Sequence, residues 1–131
     1  MNKKAFTLLE MIIVVVVIAV LASIGVPRYV RAVEKGRTSE ALGFLGHIRE
    51  AEIAYYMEYN TFTSSLAALS TGAPAACSGN FYFNYTLGGT GTTFTATANR
   101  CTASGRAPNA LTAYRLNITN TGALGGTTGF V

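Results

Sequence analysis

The sequence predicts an α+β protein, with a long amino-terminal helix that is transmembrane in its first half and packs through its second half on a small antiparallel β-sheet. Three observations predict it. Residues 6–26 form an apolar run broken by one carboxylate. After Pro27 the apolar positions recur at three- and four-residue steps, and beyond Tyr59 they alternate.

The apolar run comes first. MIIVVVVIAVLASIGV, Met11 to Val26, holds no charge and only Ser23 as a polar side chain. As a helix, Phe6 to Val26 spans roughly 31 Å, enough for the hydrocarbon core of a bilayer. Lys3 and Lys4 precede it and orient the amino terminus to the cytoplasm. A secretory signal is shorter and ends in a small-residue cleavage site followed by a mature start, for which ALASIG is a weak candidate. The chain also runs straight from the span into helical pattern. One residue stands out: Glu10, a carboxylate at the start of the span, which calls for a partner or a reason.

The second half of the helix follows. Val30, Val33, Ala41, Leu45, Ile48, Ala51 and Tyr55 form one apolar stripe, with a gap between Val33 and Ala41. Arg31–Lys35 and Glu34–Thr38 are expected on the other side. A nearly continuous helix from about Phe6 to Glu58 would be roughly 80 Å long. Pro27 and Gly25 mark the join of its halves, because proline deprives one carbonyl of its helical donor. Gly36 and Gly43 lower helicity.

From Tyr59 onward the pattern changes. NTFTSSLAALSTGAPAAC reads as a loop. FYFNYTL (81–87) alternates through Phe81, Phe83, Tyr85 and Leu87, and LGGTGT supplies a turn. TTFTATANRC (92–101) alternates through Phe94, Ala96 and Ala98, and LTAYRLNIT (111–119) through Tyr114, Leu116 and Ile118. Three antiparallel strands leave one face needing cover, and the stripe at Leu45, Ile48 and Tyr55 is the natural cover. The aromatic cluster Tyr55, Tyr56, Tyr59 and Phe62 reads as core and interface packing before any stacking platform for bases.

Composition limits the function classes. Charged residues are 12% of the 131, there is no Asp, and Glu58 is the last Glu. Beyond it the charged side chains are Arg100, Arg106 and Arg115, a surface that suits an assembly or an extracellular setting. The net charge of +4 falls to +2 without Lys3 and Lys4, and no basic block approaches a nucleic-acid footprint. The arginines read as solvated or paired to backbone. Cys77 and Cys101 read as one disulfide in a chain that crosses a membrane, the alternative being two buried thiols. His47 and two distant thiols make no metal box. Gly88-Gly89-Thr90-Gly91 lacks the Lys-Ser/Thr and helix of a phosphate loop, and no nucleophile–base–acid set exists, so neither an enzyme nor a cofactor is expected. Asn84-Tyr-Thr and Asn117-Ile-Thr match a glycosylation sequon, a pattern frequent by chance.

KKAFTLLEMIIVVVVIAVLASIGVPRYV resembles the amino-terminal signature of the type IV pilins: a short basic leader, a small residue, Phe, Thr-Leu-Leu-Glu, then a uniform apolar helix with proline at Pro27. The signature covers about a quarter of the chain, and the Thr- and Gly-rich sheet resembles small bacterial pilins more loosely. The resemblance implies a leader at 1–5, a transmembrane and filament-core helix at 6–27, an amphipathic helix at 28–58 and a globular sheet domain at 59–131. It implies cleavage by a prepilin peptidase between Ala5 and Phe6 and methylation of the new Phe6 amine. Ala5 stands where the family usually has glycine. It also implies that Glu10 meets the freed amine of Phe6, in a neighbouring subunit or the same one, rather than resting in the headgroup layer.

The implied partners are further copies of the chain, the peptidase, the inner-membrane assembly machinery and minor pilins, with DNA binding left open. The implied location is the bacterial inner membrane before assembly and the cell surface afterwards. A pilus subunit for adhesion, twitching or DNA uptake is the first expectation. A type II secretion pseudopilin is the second, disfavoured because no acid after Glu58 can serve a carboxy-terminal calcium site. A single-span anchored binding module is the third, and it has no need of Glu10 beside a cleavable leader.

Overall fold

The computed structural model describes residues 5–108, 113–127 and 129. Helix α1 runs Leu8–Tyr59, a one-turn 3-10 helix Leu66–Leu69, and four strands follow: β1 Phe83–Thr90, β2 Thr93–Arg100, β3 Arg115–Thr119 and β4 Leu124–Gly126. The protein is therefore α+β. Its contacts divide it into two compact units, Met1–Gly36 and Arg37–Val131.

In the first unit α1 begins after Thr7 and continues through Pro27. Pro27 has no N–H to offer the Ser23 carbonyl one turn earlier. The Ser23 hydroxyl bonds back to the Val20 carbonyl at 2.7 Å, so the run's one polar side chain is satisfied within the helix.

In the second unit α1 ends because Asn60 adopts the left-handed conformation (φ 55°) and returns its N–H to the Tyr56 carbonyl at 2.8 Å. Asparagine tolerates that conformation with little strain. The strands form one antiparallel sheet in the order β1-β2-β3-β4. Ala41, Leu45 and Ile48 of α1 close a core with Phe83, Tyr85, Phe94, Ala96, Ala98, Tyr114, Leu116 and Ile118. Burying a Leu or Ile side chain stabilises by about 1.5–3 kcal/mol, so Leu45 and Ile48 both contribute to holding helix to sheet.

Several details differ from the expectations. Glu34 and Thr38, expected on the opposite side of α1, are buried at 5% and 4% exposure. They continue the step of 41, 45, 48 and 52 backwards and fill the gap between Val33 and Ala41. Tyr55, expected to help cover the sheet, is only half-buried. β1 does not stop at Leu87: Gly88, Gly89 and Thr90 pair with Thr95, Phe94 and Thr93, leaving Gly91 and Thr92 as the turn. A side chain at Gly89 would collide with the Thr93 carbonyl, so glycine there permits pairing and is not a break. β3 begins at Arg115, and residues 111 and 112 of the expected third strand lie outside the described residues. β4 is a fourth strand that alternation does not signal.

Candidate functional site

The amino-terminal end of α1 holds the residues that the signature singles out. Thr7 and Glu10 form a reciprocal cap. The Thr7 backbone N–H donates to Glu10 Oε2 at 2.8 Å, the Thr7 hydroxyl donates to the same oxygen at 2.9 Å, and the Glu10 N–H reaches Thr7 Oγ1 at 3.2 Å. This is a capping box, which satisfies backbone donors that a helix start leaves without partners. It also fixes where the carboxylate sits. Glu10 Oε1 has no hydrogen bond from the described residues, and Glu10 is exposed. Thr7 is the functional residue missed in reading the sequence, although Thr-x-x-Glu before an apolar run is the spacing that signals it.

Ala5 and Phe6 lie just before the helix and are both exposed. Lys3 and Lys4 lie outside the described residues. The structure therefore brings Phe6 and Glu10 to one helix end, whereas Pro27 lies about 26 Å further along the axis. Between them Leu9, Ile13, Val17, Leu21 and Ile24 are exposed, as are Ile12, Val16 and Val20 on other sides of the helix. Among the described residues this is the one helix with a stretch long and apolar enough to cross a membrane.

The sheet unit is fastened at several points. Cys77 and Cys101 form the disulfide, with Cα atoms 5.9 Å apart and a sequence separation of 24. It ties the loop before β1 to the end of β2. Gly105 (φ +102°) lies against Cys101, where any side chain would strike the Cys101 Cβ and the Phe81 carbonyl. Arg100 is buried and donates to the Tyr82, Cys101 and Ala107 carbonyls at 3.0, 3.1 and 2.6 Å. It thus binds loop backbone, as expected of an arginine paired to carbonyls. The guanidinium groups of Arg37, Arg100 and Arg106 surround the Tyr82 ring at 5.0, 5.5 and 5.1 Å, and Glu40 Oε1 accepts the Tyr82 N–H at 2.9 Å. The aromatic residues join end to end: Tyr56 stacks on Phe62 at 4.6 Å, and Phe62 meets Phe94 edge-on at 5.1 Å. They pack the end of α1 to β2.

Two ionisable side chains in this unit are shifted by burial. Glu52 is fully buried, its Oε2 accepting the Thr63 N–H at 3.1 Å while Oε1 has no partner. Burial raises its carboxyl above the ordinary range, and the Thr63 bond offsets this in part. Burial also raises the Tyr85 phenol, with the Glu40 charge as a smaller cause. Among the described residues no three His, Cys, Asp or Glu side chains gather to hold a metal ion.

The comparisons with known proteins fit this arrangement. A family model described as the prokaryotic N-terminal methylation motif matches residues 1–26. The chain is 32% identical over 68 residues to the type IV wide pilus major component PilA4 of Thermus thermophilus, covering 52% of each. It is 31% identical over 96 residues to the fimbrial protein EcpC of Eikenella corrodens, covering 73% of this chain and 61% of that protein. The aligned parts thus span roughly half to three-fifths of these relatives. A methylation motif on a capped, exposed apolar helix is thus joined to a disulfide-bonded sheet, and the chain carries the amino-terminal signature of the type IV pilins and is similar to pilus and fimbrial subunits.

Proposed function

We propose that the chain is a structural subunit of a type IV pilus. A prepilin peptidase cuts between Ala5 and Phe6 and the new amine is methylated. Residues 6–27 hold the subunit in the inner membrane until the assembly machinery draws it into a filament whose core is packed helices. The observation that carries this reading is the exposed Glu10 carboxylate, fixed by Thr7 at the start of an apolar surface that nothing in its own unit covers. In a dry filament core an unpaired carboxylate costs several kcal/mol, so the Phe6 ammonium of another copy both recruits and aligns it. Pro27 closes the core segment. The acid-free sequence after Glu58 favours a pilus over a secretion pseudopilus, since calcium sites are built from carboxylates. Adhesion, twitching and DNA uptake are the roles such a filament serves.

The test is Glu10→Gln in the full chain, with filaments counted by electron microscopy beside a membrane blot and an intact mass. The expected result is a subunit lacking residues 1–5 and carrying one methyl group, at native level in the membrane, with few or no filaments. Native filament numbers from this variant would remove the assembly role of Glu10. A mass that retains Lys3 and Lys4 would remove the processing.

A further inference from the structure

The two faces of the sheet unit differ in the charge they expose. Helix α1 covers one face of the sheet, and the other presents the alternate positions of the strands. Phe94, Ala96 and Ala98 point into the core, so Thr95, Thr97 and Asn99 point away from it, as do Arg115 and Asn117 of β3. The register sets Thr97 beside Asn117 and Asn99 beside Arg115. This outer face is therefore uncharged except for Arg115. Beside Arg115 lies an open hollow of about 300 Å³, lined by Asn99, Tyr114 and Thr127 among others. Guanidinium, amide and hydroxyl groups together offer donors suited to a carboxylate.

On the opposite side of the unit, α1 turns its solvent face outward. Of the unit's other carboxylates, Glu40 accepts the Tyr82 N–H, Glu52 lies in the core, and Glu58 is exposed near the end of the helix, where its carboxylate raises the Tyr59 phenol. Glu50 is exposed and has no partner among the described residues. One turn before it stands Gly46, and one turn before that Gly43. Nothing lies within 4 Å of where a Cβ would be at either position, so no contact inside the protein explains two glycines that weaken the helix. They leave room for another backbone to approach beside Glu50.

We propose that these two faces are the halves of one contact between copies: Glu50 of one subunit enters the Arg115 hollow of the next. The proposal rests on the pilus reading above and names the pairing in the filament's outer layer. Two different surfaces on opposite sides of a unit form a heterologous contact, which propagates into an open helical assembly when its rotation does not close a ring. An exposed ion pair contributes little by itself. Set among uncharged Thr and Asn side chains, it disfavours other registers on this face, because a shift along it moves the carboxylate off the face's one cation.

The experiment uses the full chain in a filament-forming host, with Glu50→Lys, Arg115→Glu and the double reversal. Each single reversal is expected to lose most filaments, and the double reversal to regain most of them. Extracted subunits should keep the Cys77–Cys101 disulfide and their melting transition. Native filament counts from both single variants overturn the proposal, including the case in which only attachment to an external surface is lost. So does a double variant that folds but assembles no better than the singles. A second measurement does not depend on charge reversal: with Glu50→Cys and Arg115→Cys together, oxidised filaments should yield reducible oligomers. Thiols at both positions that remain alkylatable in intact filaments overturn it. A native chain that forms no filaments removes the pilus reading itself, whereas native filaments that tolerate every variant remove only this contact.

Discussion

Two stretches of α1 have the same backbone geometry and use their apolar residues in opposite ways. From Leu8 to Val26 the large aliphatic side chains are exposed on every side. From Arg37 to Tyr59 the apolar residues are fewer, and Ala41, Leu45 and Ile48 are completely buried against the sheet. A stripe tells where the partner lies and can be satisfied by one face of the same chain. A uniform surface names no direction, and no single face of a small sheet could cover it. The first stretch therefore needs an apolar environment from outside the chain, either lipid or other helices.

That contrast can be broken by truncating one residue in each stretch. Leu45→Ala should destabilise the sheet unit by about 2–5 kcal/mol, the range for opening a cavity at a fully buried position. Val16, 55% exposed, is the control. Val16→Ala should leave the denaturant midpoint of the sheet unit, followed by tyrosine circular dichroism in detergent, unchanged. Equal shifts from the two variants would mean that the stretches are not energetically distinct.

The disulfide sharpens the comparison from the side of the sheet. Closing a loop of this length contributes about 3 kcal/mol in the chain-entropy model. Cys77→Ser with Cys101→Ser should lower the unit's stability by that order while, on the proposed reading, membrane insertion through the first stretch is unaffected. A variant that melts like the native chain would show that the core needs no crosslink.

The smallest effect concerns Glu52, a carboxylate on the buried stripe that also carries Glu34 and Thr38. Its carboxyl is raised in the folded state, so the fold binds this proton more tightly than the unfolded chain does. The stability it contributes is fully present below the ordinary value of 4.5 and is lost as pH rises through the raised value. Glu52→Gln removes the buried charge and should stabilise the unit by about 1 kcal/mol at neutral pH, with the gain vanishing in mild acid. Melting temperatures of both proteins across pH 4 to 7 check this, and a constant difference would contradict it.

Much of this was legible in the sequence, because period alone locates it. The switch from uniform to three-four spacing and then to alternation gave the helix halves and the strand cores, and two cysteines in the distal half gave the crosslink. What escaped was polar or short. Glu34, Thr38 and Glu52 continue a stripe that hydrophobicity alone breaks at each of them, since burial of a polar residue depends on partners that no period shows. β4 is Leu124-Gly125-Gly126, too short and too glycine-rich to alternate. At Gly89 the residue type that usually ends a strand is the one that lets it continue. Thr7 was hidden differently: its spacing to Glu10 is a helix-start signal, overshadowed by the question of what Glu10 meets.

The cap at Thr7 bears on how a subunit waits. On the proposed reading, chains accumulate in the membrane before they are used, and a bare carboxylate there would drive premature pairing or draw water into the bilayer. Thr7 gives Glu10 two neutral donors within its own turn of helix. Capture by a neighbour's ammonium then becomes an exchange of one set of donors for a stronger one. Departure from the filament returns the carboxylate to the first set. Storage and recruitment become two ends of one reversible reaction, and a single hydroxyl helps set how far apart they lie.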